Sequence, residues 1–421
     1  MTGLAGGGHA ILLDGPSGEV ELLDFFVAIP GIGGPPSEPE LVELGVPFGA
    51  ELVHYFIGIA SCAVPGVPAG LDELWRRAGR LPWERLVQPA LRLARDGVEM
   101  PPAHAACLAM LAPVMTMREG GGIYAPGGRL LAAGDPLRQP GLVRALEAVS
   151  AEGARTFYEG SLRRALLALM EERGGLVTEA DLDEYAPTWG EPVETEYAGV
   201  RLLTRGGLSR LVDTLGLLPP LRGAAPAERA VTLARVLAAP PYSGRTYDDT
   251  TNLCTVDEEG SAVVLTTSLG LGSGDFLPGY DLHLNSMLGE ADLLTGPLEP
   301  GKRMESMMAP TLGLDDEGLV VAAGAAGGTR LRPALAQVLS GILDEGIAPQ
   351  AAVDRARLHS TGELVHLEPG FAEEAVAALV EEGYEVKRWD ALHHYFGGVS
   401  LVGRAGSAAD PRRSGASLAL R

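Results

Sequence analysis

The residues best suited to chemistry meet at one junction. Pro240-Pro-Tyr-Ser-Gly-Arg-Thr-Tyr-Asp-Asp249 reads as an exposed, turn-prone linker, and it runs straight into the β-branched stretch Thr250-Thr-Asn-Leu-Cys-Thr-Val-Asp257. A threonine that opens a buried strand after such a linker can turn its hydroxyl on the carbonyl before it, forming an ester that water opens. The Asp249–Thr250 bond is then cut, and the freed α-amine lies beside the hydroxyl of the same residue. An α-amine has an unperturbed pKa of about 7.7–8.0, so it can serve as general base near neutral pH without a histidine. Thr250-Thr251 taken alone also reads as an ordinary β-branched strand pair.

Gly327-Gly328 is a glycine pair at which no Cβ obstructs close approach of another group. The same pair also reads as a turn ahead of a helix. Other motifs are weaker. Gly270-Leu-Gly-Ser-Gly274 lacks the sixth-position glycine and the following helix of a dinucleotide loop. His393-His394 are adjacent, so on a strand they face opposite ways, and no carboxylate accompanies them as a metal ligand. His359 follows a helix and reads as a structural histidine. Cys62, Cys107 and Cys254 are odd in number and far apart, without a CxxC pair. They read as small hydrophobes in a reducing compartment, and Cys254 has no histidine near it in sequence. No metal or cofactor is implied.

Two hairpins frame these residues. His9–Asp14 and Glu19–Phe25 flank a Gly-Pro-Ser-Gly turn, and Thr250–Asp257 and Ala262–Ser268 flank Glu-Glu-Gly260. Their near-continuous apolar character predicts buried sheet. Residues from about 68 to 217 read as mostly helical. Helices are expected from Trp83 to Gly97 and from Leu162 to Met170, the latter closed by Gly174-Gly175, with a capping carboxylate in Thr178-Glu-Ala-Asp181. Later come a strand Leu319–Ala323, a helix Leu331–Leu343, a helix Ala372–Glu382 and a strand Val399–Val402, with Tyr395–Ser400 read as core strand. Hairpins followed by helices predict α+β layers rather than a parallel βαβ sheet.

The net charge of −22 leaves no basic field to displace counterions, which argues against a nucleic-acid partner. No stretch approaches the roughly 18 uninterrupted apolar residues of a membrane span.

The block Thr250–Gly260 resembles the start of the small subunit of γ-glutamyltranspeptidases. Leu282-His-Leu-Asn-Ser-Met-Leu-Gly-Glu290, Arg303-Met-Glu-Ser-Met-Met-Ala-Pro-Thr311 and Gly324-Ala-Ala-Gly-Gly-Thr-Arg330 resemble later blocks in the family's order. Thr2–Gly8, Ala63–Gly70 and Gly175–Leu182 resemble large-subunit blocks. The resemblance covers nearly the whole chain and implies a four-layer αββα sandwich of the N-terminal-nucleophile hydrolases. It implies a zymogen of glutathione metabolism that cuts itself into 1–249 and 250–421, two chains that stay associated. Thr250 would be the nucleophile, Gly327 and Gly328 the oxyanion donors, and Ser268 the hydroxyl that orients the nucleophile. Asn285 and Glu290 are candidates for gripping a substrate ammonium, and Ser306 for contacting its carboxylate. The acyl donor would be a γ-glutamyl or related amide, and the acceptor water, an amino acid or a dipeptide.

The sequence also departs from the family pattern. Phe26 replaces the arginine that clamps the donor α-carboxylate, Met307 the second serine of a pair, and Gly270 an asparagine. Losing such partners costs roughly 1–3 kcal/mol each. A less polar acyl amide, or one lacking that carboxylate, is therefore the expected donor. An acylase of the β-lactam type, or an unprocessed homologue without activity, are the alternatives. Met1 stands directly at the Gly-rich turn, where the family has a preceding helix, so a signal peptide could be missing with that segment. The cysteines favour the cytoplasm.

Overall fold

The computed structural model describes residues 1–34, 41–48, 51–238 and 250–419. It is a mixed α and β structure with two compact units whose chain segments interleave.

Unit 1 comprises Met1–Gly8, Leu23–Thr188 and Thr267–Glu305 and is largely helical. The helix Ser161–Arg173 carries Leu162, Leu166, Leu169 and Met170 on one face, the spacing that lays an apolar stripe against a core. It ends where Gly174 takes the left-handed conformation, at φ 71°. The helix Trp83–Asp96 buries Val87 and Leu91 and stops at Gly97. It packs on the helix Pro140–Glu152, and the Trp83 indole donates to the Val149 carbonyl at 2.8 Å. The expected cap at Thr178 is a full capping box with Asp181. Asp181 also accepts the Gly31 and Ile32 N–H groups at 2.9–3.1 Å, pinning the segment that follows Phe26.

Unit 2 comprises His9–Leu22, Trp189–Thr266 and Ser306–Arg421. Most of a five-stranded sheet lies here, in the order Thr251–Val256, Ala262–Ser268, Gly7–Leu13, Val20–Phe25, Thr188–Gly190. Both expected hairpins are present in it. A six-stranded antiparallel sheet runs Gly406–Ala409, Gly398–Gly403, Gly318–Ala326, Thr311–Asp315, Val200–Thr204, Val193–Tyr197. Ile11, Leu13 and Val264 of the first sheet meet Leu203, Leu312 and Ala322 of the second in one apolar core, the face-to-face packing expected of alternating inward side chains. The helix Leu331–Leu343 covers the Gly318 and Gly398 strands and is buried from Leu331 through Gly341.

One local expectation is refined and another corrected. The stretch from 68 to 217 is mostly helical and ends in the helix Leu211–Leu217, but a hairpin interrupts it: Val193-Glu-Thr-Glu-Tyr197 is a strand, and Ala198 and Gly199, both at positive φ, turn the chain into Val200–Thr204. Around Tyr395 the chain forms a short 3-10 turn, His394–Phe396, because Gly397 at φ 74° breaks the extended path before the strand begins at Gly398.

Candidate active site

Thr250 is buried, with 6% of its surface exposed, immediately ahead of the strand Thr251–Val256. Asp249 and the linker before it lie outside the described residues. Two residues beyond Thr250, the Asn252 carboxamide is engaged on both ends. Its Oδ1 accepts the Thr266 hydroxyl at 2.7 Å, and its Nδ2 donates to Ser400 Oγ at 2.8 Å. Ser400 Oγ donates back to the Asn252 carbonyl at 3.2 Å. Gly324 pairs with Ser400 in the six-stranded sheet, and a Cβ at Gly324 would fall 2.0 Å from Asn252 Oδ1. Only a glycine admits this side chain.

The strand that carries Gly324 ends at Ala326, and Gly327-Gly328 follow at φ 132° and 54°. A Cβ on Gly327 would meet the Gly397 Cα at 2.8 Å, so the turn is closed by backbone on backbone. The Gly327 carbonyl accepts the Arg330 N–H at 3.0 Å, starting the turn into the Leu331 helix. Ser306, also in unit 2, uses its hydroxyl to accept the Met308 N–H at 3.2 Å, while Arg205 Nη1 donates to its carbonyl at 2.6 Å.

The other predicted residues belong to unit 1. Ser268 closes the second strand of the Thr251 hairpin, and its Oγ accepts the Gly270 N–H at 2.9 Å. Gly270, at φ 69°, faces the fully buried Glu290: a Cβ there would lie 2.3 Å from Glu290 Oε1 and 2.7 Å from Ser286 Oγ. Ser286 holds the same loop, donating its N–H to the Leu269 carbonyl at 3.0 Å and accepting the Gly272 N–H at 3.1 Å. Asn285 spends its carboxamide on backbone. Its Oδ1 accepts from Ala63 and Met287, and its Nδ2 donates to the Ala5 and Ala63 carbonyls at 2.9 and 2.8 Å.

Phe26 is buried, and its carbonyl accepts from Tyr185 Oη and Arg303 Nη1, both at 2.7 Å. The Arg303 guanidinium lies 4.5 Å over the Tyr185 ring and donates to the Ala186 carbonyl at 2.6 Å. Tyr185, Ala186 and Arg303, with Ala28, Val64 and Asp181, line a cavity of about 360 Å³ in unit 1. Arg303 and Asn252 are not among the residues that the sequence singles out. Arg303 opens the block in which resemblance marks only Ser306, and Asn252 lies two positions after the nucleophile candidate.

Burial, then the nearby Arg330 charge, holds His359 well below the ordinary histidine value. The His393 and His394 rings lie 4.1 Å apart, and His393 Nδ1 accepts the Tyr395 N–H. Burial raises the Cys62 thiol and pushes Cys254 up to about 11, far from a thiolate at neutral pH. Among the described residues no group of three or more His, Cys, Asp or Glu could hold a metal. The closing segment forms a buried ion network: Asp410 takes Arg357 at 2.6 Å and Arg412 at 3.2 Å, and Arg412 Nε donates to Glu368 at 2.7 Å.

The chain is 27% identical over 449 residues to the acylase ACY 1 proenzyme of Pseudomonas sp. (strain V22), covering 92% of this chain and 80% of that one. It is 27% identical over 373 residues to the glutathione hydrolase proenzyme of Pseudomonas aeruginosa, covering 72% of this chain and 66% of that one. In three dimensions it is similar to the cephalosporin acylase of Bacillus halodurans, with a TM-score of 0.80 at 21% identity over 99% of this chain and 88% of that one, a likeness of fold. The profile of the gamma-glutamyltranspeptidase family matches residues 1–218 and 224–420. The chain therefore belongs to the gamma-glutamyltranspeptidase family.

Proposed function

We propose that this chain is a self-processing amidohydrolase and acyltransferase that cuts itself between Asp249 and Thr250 and then uses Thr250 as its nucleophile. One observation carries the reading. The strand headed by the buried Thr250 is bonded through Asn252 to Ser400, on the strand paired with the one that delivers Gly327-Gly328. A nucleophile and a pair of acyl-oxygen donors on joined strands are the parts that acyl transfer needs.

In the reaction, the Thr250 α-amine takes the proton of its own hydroxyl as Oγ1 attacks the donor carbonyl. The Gly327 and Gly328 N–H groups receive the developing oxyanion, a contribution worth several kcal/mol in comparable sites. The amine product leaves with the proton, and an ester on Thr250 remains. Water or an amine such as an amino acid or dipeptide then attacks that ester, while the role of Ser268 is to orient the Thr250 hydroxyl in the first step. Glu290 is the carboxylate for a donor ammonium, Asn285 anchors the segment that carries it, and Ser306 is the hydroxyl for a carboxylate on a donor that has one. The architecture is the four-layer αββα sandwich, supported by the two facing sheets and the helix Leu331–Leu343 outside one of them. The pieces 1–249 and 250–421 are the two mature chains.

A buried phenylalanine stands where a carboxylate-clamping arginine is expected, so the donor is an acyl amide without a free α-carboxylate. The likeness to an acylase is compatible with this specificity. Intact mass of the purified protein tests the processing: two chains divided before Thr250, and a single uncut chain in Thr250→Ala. Comparing γ-glutamyl-p-nitroanilide with butanoyl-p-nitroanilide tests the donor, and clear preference for the γ-glutamyl compound defeats that part.

A further inference from the structure

We infer that Asn252 is a positioning residue that sets the register between the nucleophile strand and the oxyanion turn. The inference rests on the function proposed above and adds a residue to it.

The geometry lies within unit 2. Asn252 sits across the Gly324–Ser400 pair, and four contacts fix it: Thr266 on Oδ1, Ser400 and Cys254 Sγ on Nδ2, and the bare Cα of Gly324 beneath. Ser400 both accepts from the Asn252 side chain and donates to the Asn252 carbonyl, so the amide and the strand backbone are held by the same hydroxyl. Cys254 repeats the link one step on, its Sγ donating to the Ser400 carbonyl at 3.3 Å. From this clamp the chain has two residues to travel back to Thr250 and three forward from Gly324 to Gly327. At about 3.3 Å per residue in a strand, both reacting elements lie within roughly 10 Å of it. The turn itself is fixed from the other side, since Gly397, three residues before Ser400, abuts Gly327. A slip of the Thr251 strand against the Gly318 strand therefore moves the Thr250 hydroxyl relative to the Gly327-Gly328 N–H groups, and Asn252 opposes that slip.

The test uses Asn252→Asp, which keeps the shape and the acceptor for Thr266 and loses the donor to Ser400. Ser400→Ala loses the other half of the link. Both variants are expected to mature more slowly and to lose about tenfold to a hundredfold in kcat, the scale of a misplacement near 1 Å, with KM within about twofold. Hydrogen exchange at the amides of Thr251 to Leu253, measured on the uncut Thr250→Ala background, should quicken in both. That readout does not depend on activity. If folded Asn252→Asp and Ser400→Ala both keep wild-type exchange, maturation and kcat, the inference is wrong. If the wild-type chain is never cut yet the exchange effect appears, the clamp stands and the catalytic reading fails.

Discussion

The fit between Gly270 and Glu290 allows a prediction worked from distances. Gly270→Ala places a methyl 2.3 Å from Glu290 Oε1 and 2.7 Å from Ser286 Oγ, at a backbone φ of 69°. The left-handed backbone costs an alanine about 1–2 kcal/mol, and the overpacking adds about 1–3 kcal/mol. The second cost is recoverable. Glu290→Asp withdraws the carboxylate by one C–C bond, about 1.5 Å. Added to the present separation, that returns the pair to about 3.8 Å, an ordinary van der Waals distance. The double variant should thus regain much of the 1–3 kcal/mol lost to crowding, while the strain in φ and the contact with Ser286 remain. Thermal unfolding of the wild type, both single variants and the double variant closes the cycle, with each kcal/mol read as about 2–4 °C in a unit of some 200 residues. Additive effects would refute the reasoning, as would a Gly270→Ala protein as stable as the wild type. Either outcome would mean that the buried carboxylate does not depend on the missing side chain.

Two further predictions concern stability. Asp410→Ala removes the carboxylate that accepts from Arg357, Arg412 and the Val399 N–H, all inside the protein. Leaving buried guanidiniums short of their partner should cost about 3–5 kcal/mol, measurable as a large fall in Tm. The second involves pH. Burial lowers His283 to about 3; its Nε2 accepts the Gly274 N–H at 2.9 Å, and its ring stacks on Phe276. The unfolded chain protonates this histidine near the ordinary value of about 6.5, whereas the folded chain refuses the proton until about pH 3. Stability should therefore fall as pH drops through that window, and His283→Gln should flatten the profile there relative to the wild type, seen by denaturant titration at several pH values.

Much of the framework is legible in the sequence because it is written locally. The helix Leu331–Leu343 and the two hairpins carry their own periodicity and turns, and Thr178 with Asp181 announces a cap within four residues. The Val193–Thr204 hairpin hides behind a run of helices, although its alternation is there to be counted. The site is another matter. Block resemblance marks that Asn285 matters, but its carboxamide bonds to Ala5 and Ala63, more than 220 residues away. Asn252 is unremarkable in its own strand and acquires meaning only from Gly324 and Ser400. Gly270 reads as a lost polar partner, whereas in three dimensions its bare Cα is the space against which the Glu290 carboxylate rests. Such facts depend on pairs of distant residues, and a linear reading sees one member at a time.

The order of strands governs the fate of a molecule broken before Thr250. Ala262–Ser268 lies beside Gly7–Leu13 in one sheet, and Thr311–Asp315 beside Val200–Thr204 in the other. Each piece of the nicked molecule would be threaded through both sheets of its counterpart, so dilution should not part them without melting the ladders. The uncut polypeptide finds this arrangement by an intramolecular search; two loose fragments would have to find it by collision, with exposed strand edges open to wrong partners. Heating the nicked form should thus be a one-way event whose midpoint shifts with scan rate, while the uncut form retains a route home.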